Sequence, residues 1–308
     1  MAKILCSNGC RGEIVKTIQS QLQVEGFLQG AADGVYANQT TAAVRSFQEA
    51  RHLAISGTVD QPTWAALLPV PPPDLQQRSL QVTAAFEGHG FGLAQGNFDG
   101  AGITWGIIGF TLKSGKIAKL IKGIDDAHPE LVRGAFGDQS NELLEVLTKM
   151  SWADQLAWAS SRSSGLNNTT LSEPWRSGFA RLGTVPAVQE AQLALVREDY
   201  FVPARDTAEG YDLKSELGRA LVFDIHVQNG GIKPKTAARI AQARAQAEPA
   251  TERDLRVLIA KAVAATARPA YRDDVGSRKL TLATGEGTVH GFHYELANWG
   301  LDESQAQN

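Results

Sequence analysis

Glu87, Asp99 and Thr104 lie within an 18-residue glycine-rich stretch, and their types and order suit the cleavage of a glycosidic bond. Leu80, Ala84 and Glu87 fall at i, i+4 and i+7, so a helix through them carries Glu87 on its apolar face. Gly88 and Gly90 signal that this helix ends there. A carboxylate at a helix C-terminus meets the negative end of the dipole, and burial beside Phe86 acts in the same direction. Both effects favour the protonated form, which a general acid working near neutral pH requires. The competing reading is a partly solvated glutamate at a frayed helix end. Asp99, in Asn97-Phe-Asp99-Gly100, reads by itself as a turn. Paired with Glu87 it supplies the second carboxylate that flanks a scissile glycosidic bond. Thr104, five residues further on, could hold a water molecule.

The elements that must position these residues begin at a proline run, Pro69-Val-Pro-Pro-Pro-Asp. Such a run neither continues a helix nor joins a sheet interior, so an extended spacer is expected. It divides the chain into residues 1–68, a linker over 69–77 and a larger domain over 78–308. The first part carries an internal repeat: Gly34 and Gly57 are each followed six residues later by a threonine, Thr40 and Thr63. Both threonines suit a helix N-cap. Ile14, Ile18 and Leu22 mark another amphipathic helix, so an all-α three-helix module is expected. The second part opens with a helix over roughly Leu75–Phe86. Glycines at 88, 90, 92, 96, 100, 102, 106 and 109 follow, enclosing the strand-like run 103–111. Helices are expected near 115–122, 141–160, 187–200, 215–229, 235–246 and 252–267. One small sheet beside many helices makes this part α+β.

Val15-x-x-Ile18-Gln-x-x-Leu22, Gly26-Phe-Leu, Asp33-Gly34-x-Tyr36, Thr40-x-x-Ala43-Val44-x-x-Phe47-Gln48 and Gly57-x-Val59 with Thr63-Trp64 resemble the peptidoglycan-binding domain of wall hydrolases. The resemblance implies bacterial peptidoglycan as the partner of residues 1–68, held by loop residues, since Phe47 and Trp64 are core.

Phe86-Glu87 followed by Asp99-Gly-x-Gly-x-Thr104-x-Gly106-Ile-Ile-Gly109-Phe-Thr111 resembles the active-site region of bacterial chitosanases in the lysozyme superfamily. That resemblance implies a lysozyme-like domain in which Glu87 is the general acid, Asp99 activates water, Thr104 assists and the anomeric centre inverts. The Glu-to-Asp interval is closer to that of phage lysozymes. Phe223-Asp224-x-x-Val-Gln228-Asn229-Gly230 is similar to a chitosanase helix that borders the cleft, which makes Asp224, Gln228 and Asn229 candidates for substrate binding. Asp224 is equally suited to pairing with Arg219 or His226. Trp105, inside the site strand, is the tryptophan best placed to touch sugar. His290 and His293 stand at i, i+3, but the glycine between them and their strand-like flanks argue against a metal, and no cofactor is expected.

The formal net charge of −3 argues against a nucleic-acid binder, and no run approaches the ~18 apolar residues of a membrane span. The first residues lack the length of apolar sequence of a secretory signal. Cys6 and Cys10 read as reduced thiols near a frayed terminus, with a disulfide as the alternative. The resulting expectation is a monomeric phage-type endolysin of muramidase type, held in the host cytoplasm until release to the wall. The alternatives are a chitosanase, a lytic transglycosylase using Glu87 alone, and a non-catalytic wall-binding or virion protein.

Overall fold

In the computed structural model, which describes residues 3–88 and 90–306, the chain is mostly helical with small antiparallel sheets. It forms two compact units, Met1–Phe86 with Asp199–Asn308, and Glu87–Glu198. Among the described residues no helix is long and apolar enough to cross a membrane.

The first unit starts with β1 (Ile4–Cys6), α1 (Glu13–Val24), α2 (Asn38–Ala50), β2 (Val59–Asp60) and α3 (Gln61–Leu67). The three expected helices are present. Strands β1 and β2 pair antiparallel, so Ile4–Cys6 are held in a sheet rather than frayed, and Cys6 and Cys10 are fully buried free thiols.

The repeat has a physical cause that its spacing alone did not reveal. Gln19 Oε1 accepts the N–H of Gly34 at 2.7 Å, and its Nε2 donates to Thr40 Oγ1 at 3.0 Å. Gln48 does the same one repeat later, accepting from Gly57 N at 2.9 Å and donating to Thr63 Oγ1 at 3.0 Å. Each buried amide ties a glycine loop to the next helix. Thr40 and Thr63 are therefore not N-caps, as expected from type and position. They sit inside the first turn, and the cap of α3 is Asp60, which accepts from Thr63 N at 2.9 Å.

The proline run is not the free spacer that its composition suggests. Trp64 Nε1 donates to Val70 O at 2.9 Å, and Arg78 Nη1 to Pro73 O at 2.7 Å. Backbone carbonyls in the run, a proline's included, remain acceptors, and side chains from both ends take them. Helix α4 (Leu75–Glu87) takes in residues 75–77 and is buried at nearly every position from Arg78 to Phe86.

The second unit holds a three-stranded sheet of β3 (Ala94–Gln95), β4 (Thr104–Trp105) and β5 (Phe110–Thr111), in that order. The run 103–111, expected as one strand, is a hairpin. Gly106 breaks it at φ 93°, and a Cβ there would stand 2.5 Å from Gln192 Oε1. Helices α5 (Lys116–Ala127), α6 (Pro129–Phe136), α7 (Ser140–Lys149) and α8 (Trp152–Ser161) follow. The helix expected over 141–160 is thus two helices, the second capped by Ser151. A short pair, β6 (Ser163–Ser164) and β7 (Thr170–Leu171), leads to α9 (Trp175–Gly183) and α10 (Pro186–Val196). Phe179 anchors this core, its ring 5.0 Å from Phe136 and 5.1 Å from Trp105 between centroids.

The chain then returns to the first unit with α11 (Val202–Gly210), α12 (Glu216–Asn229), α13 (Pro234–Gln246), α14 (Glu252–Thr266) and α15 (Arg272–Thr284). The hairpin β8 (Glu286–Val289) and β9 (Phe292–Glu295) closes it. The N-terminal module sits against this last segment: Ser7 N and Cys10 Sγ both donate to Asn298 O, at 2.9 and 2.8 Å.

Candidate active site

Glu87 is the last residue of α4, half-buried, and Gly88 ends the helix in the left-handed conformation at φ 68°. A residue with a Cβ is disfavoured there, so the glycine releases the chain immediately after the carboxylate.

Asp99 is exposed, on the turn between β3 and β4, where its Oδ1 accepts from Ala101 N at 3.0 Å. Asn97 holds that turn in place. Its N–H donates to Ser163 Oγ at 2.8 Å, its Nδ2 to Ser160 Oγ at 2.9 Å, and its Oδ1 accepts from Gly102 N at 3.0 Å. Gly96 N donates to Thr169 O at 3.0 Å, which adds a backbone tie. A carboxylate held on a braced turn and open to solvent suits the activation of water.

Thr104 is the central residue of the small sheet, facing Gln95 on one side and Thr111 on the other. It is 5% exposed, and its Oγ1 is buried without a hydrogen bond among the described residues. A hydroxyl in that position costs about 1–3 kcal/mol unless a bound molecule satisfies it. Glu87, Asp99 and Thr104 thus belong to one compact unit.

The substrate-binding expectations fare differently. Trp105 is 0% exposed and its Nε1 donates to Phe179 O at 3.2 Å. It is a core residue, because the strand alternation that exposes one face has no open face in a covered sheet. Asp224 is also 0% exposed. Its partners are neither Arg219 nor His226 but Arg278, at 2.7 Å from Nη2, Lys279, and Thr83 Oγ1 at 2.9 Å. Burial alone would raise its carboxyl, but the two cations overcome that and hold it well below the usual carboxylate range. Fully engaged inside the protein, Asp224 has no lone pair left for a sugar. His226 instead meets Thr207 Oγ1 at 2.8 Å, and Arg219 lies 3.7 Å from Glu209.

Gln228 and Asn229 end α12, half-buried. Gln228 Nε2 donates to Asp274 Oδ2 at 3.0 Å, while Gln228 Oε1 and Asn229 Oδ1 are buried with no hydrogen bond among the described residues. No group of three or more His, Cys, Asp or Glu side chains among the described residues is placed to hold a metal ion. His290 binds Phe86 O and Asp274, and His293 lies 3.5 Å from Glu286.

The sequence reading missed Arg278, Lys279 and Arg256, all buried cations of α14 and α15. The available signal was charge at positions flanked by Val275, Leu280 and Leu282 on a helix with no clean polar face.

Residues 83–255, more than half of the chain, match glycosyl hydrolase family 46, and residues 11–67 match a putative peptidoglycan binding domain. Native chitosanase from Bacillus subtilis MY002 shares the fold with a TM-score of 0.51 at 20% identity, over 72% of this chain and 96% of that one. A mutant of the chitosanase from Bacillus subtilis MY002, complexed with 6 GlcN, gives 0.52 at 20% identity over the same shares. The family 46 chitosanase of Gynuella sunshinyii in complex with chitotetraose gives 0.49 at 21% identity, over 68% and 87%. The comparison with curated proteins gave no match.

Proposed function

The chain belongs to glycosyl hydrolase family 46 over residues 83–255, and on that premise we propose that it hydrolyses the β-1,4 bonds of a glucosamine glycan of the chitosan type. Glu87 protonates the bridging oxygen as the bond to the anomeric carbon breaks. Asp99 takes a proton from water as the water oxygen bonds to that carbon from the opposite face, and Thr104 Oγ1 holds the water. The configuration inverts, which sets the two carboxyl groups roughly 6.5–9.5 Å apart in the substrate complex. Exchange with solvent then returns Glu87 to its acid form and Asp99 to its base form.

The observation that carries this reading is the buried hydroxyl of Thr104, in a segment that the family match contains together with both carboxylates. We prefer this substrate to that of the muramidase first expected, and the support is that a chitosanase complexed with 6 GlcN shares the fold of this chain. A second reading, hydrolysis of peptidoglycan between N-acetylmuramic acid and N-acetylglucosamine, is favoured by the wall-binding module at 11–67.

Reducing-end assays on chitosan and on purified sacculi separate the two. On the proposed reading chitosan is cut, and Glu87→Gln and Asp99→Asn each lower the rate by at least ~100-fold. Release of anhydro-sugars with full activity in Asp99→Ala points to a transglycosylase instead. Wild type that leaves both polymers intact removes the catalytic assignment.

A further inference from the structure

The first unit contains a groove of about 470 Å³ between the N-terminal module and the C-terminal hairpin. Asn8, Ser56 and Thr58 come from the module, and Glu295, Asn298 and Trp299 from the end of the chain. We propose that this groove binds the peptide stem of the bacterial wall, an amide chain bearing a free amine. The proposal rests on the reading of residues 11–67 as a wall-binding module and places the ligand at a site which that module does not complete by itself.

The two walls are fixed to each other. Ser7 Oγ donates to Asn298 Oδ1 at 2.9 Å, beside the two bonds to Asn298 O already described, and the Arg11 guanidinium lies 4.2 Å above the Phe292 ring. The volume falls within the roughly 300–1,000 Å³ of small-ligand sites, enough for a few residues of peptide.

The lining chemistry selects the ligand. Trp299, the only indole or phenyl ring among the described lining residues, is 1% exposed, so no indole or phenyl face is offered on which a pyranose could stack. Among the described residues Glu295 is the only carboxylate in the lining, and neither lysine nor arginine lines the groove. Asn298 Nδ2 orients Glu295 by donating to Oε2 at 2.9 Å, while Oε1 takes no hydrogen bond from the described residues. The one other titratable side chain among the described lining residues, His293, has its Nε2 directed at Glu286, 3.5 Å away. An oriented carboxylate with an open oxygen favours an ammonium group, which the diamino acid of a stem peptide supplies. The Ser56 and Thr58 hydroxyls, 2.9 Å apart, offer donors and acceptors for the amides.

Calorimetry on the full chain carrying Glu87→Gln tests this, with a synthetic L-Ala-D-Glu-diaminopimelate stem peptide as the probe. The peptide is expected to bind, and acetylation of its side-chain amine or the added change Glu295→Gln to weaken binding at least tenfold. Asn8→Trp, at the exposed rim, fills the groove and abolishes binding without changing the melting temperature. No binding to the parent chain overturns the proposal, as does equal binding to Glu295→Gln and Asn8→Trp. Cleavage of chitosan oligomers by Glu295→Gln in the otherwise native chain stays at the native rate. If the native chain cleaves neither chitosan nor sacculi yet binds the stem through Glu295, the catalytic reading falls and this one stands.

Discussion

His290 Nδ1 lies 3.0 Å from the backbone oxygen of Phe86, the residue directly before Glu87. A carbonyl only accepts, so Nδ1 is the donor in this bond. Nε2 of the same ring lies 2.5 Å from Asp274 Oδ1. The last carbonyls of a helix have no intrahelical partner, and a histidine from the β8–β9 turn satisfies one of them at the end of α4. Phe86 is held from its ring as well, by Tyr294 at 4.8 Å between centroids and Arg278 at 5.3 Å.

His290→Ala is accordingly expected to loosen the last turn of α4 and with it Glu87, the proposed acid. The loss of one side-chain hydrogen bond to the backbone costs about 1–2 kcal/mol, seen as a lower midpoint in urea denaturation. In steady-state kinetics kcat falls with little change in KM, and His290→Asn recovers part of it. An unchanged kcat in a stably folded His290→Ala would separate this contact from catalysis.

Thr104→Val removes the hydroxyl while keeping the shape of a residue already buried in the sheet. Because Oγ1 has no hydrogen bond among the described residues, the melting temperature is expected to hold or rise slightly. The rate on chitosan drops roughly tenfold or more, equivalent to about 1.4 kcal/mol of barrier. A loss of stability with no loss of rate would make Thr104 structural.

Asp224 makes stability depend on acid. Its carboxyl is depressed in the folded chain, where Arg278 and Lys279 outweigh the effect of burial. The stabilisation is therefore complete above the unfolded value of about 4 and is lost as pH falls below it. Asp224→Asn leaves two buried cations uncompensated and is expected to cost about 3–5 kcal/mol near neutrality. Denaturant midpoints should hold between pH 7 and about pH 5 and then fall progressively below about pH 4 for the native chain, and fall less for the variant. Parallel pH dependence in the two would show that other carboxylates dominate acid unfolding.

What could be read directly from the residues was local. The end of α4 at Glu87 and Gly88, the turn at Asp99-Gly100 and the three helices of the module each depend on neighbours within about two helical turns. Within that span, spacing and backbone preference carry the information. The equal Gly-to-Thr interval of the repeat was visible too, although its cause, a buried glutamine in each preceding helix, was not. Only the tertiary structure decided the rest. It buried Trp105 under Phe179, paired Asp224 with cations 54 and 55 residues away, and tied the proline run down through Trp64 and Arg78. The physical reason is that a side chain's partner is chosen by packing between distant segments. Periodicity says which face of an element is apolar, but not what that face will meet.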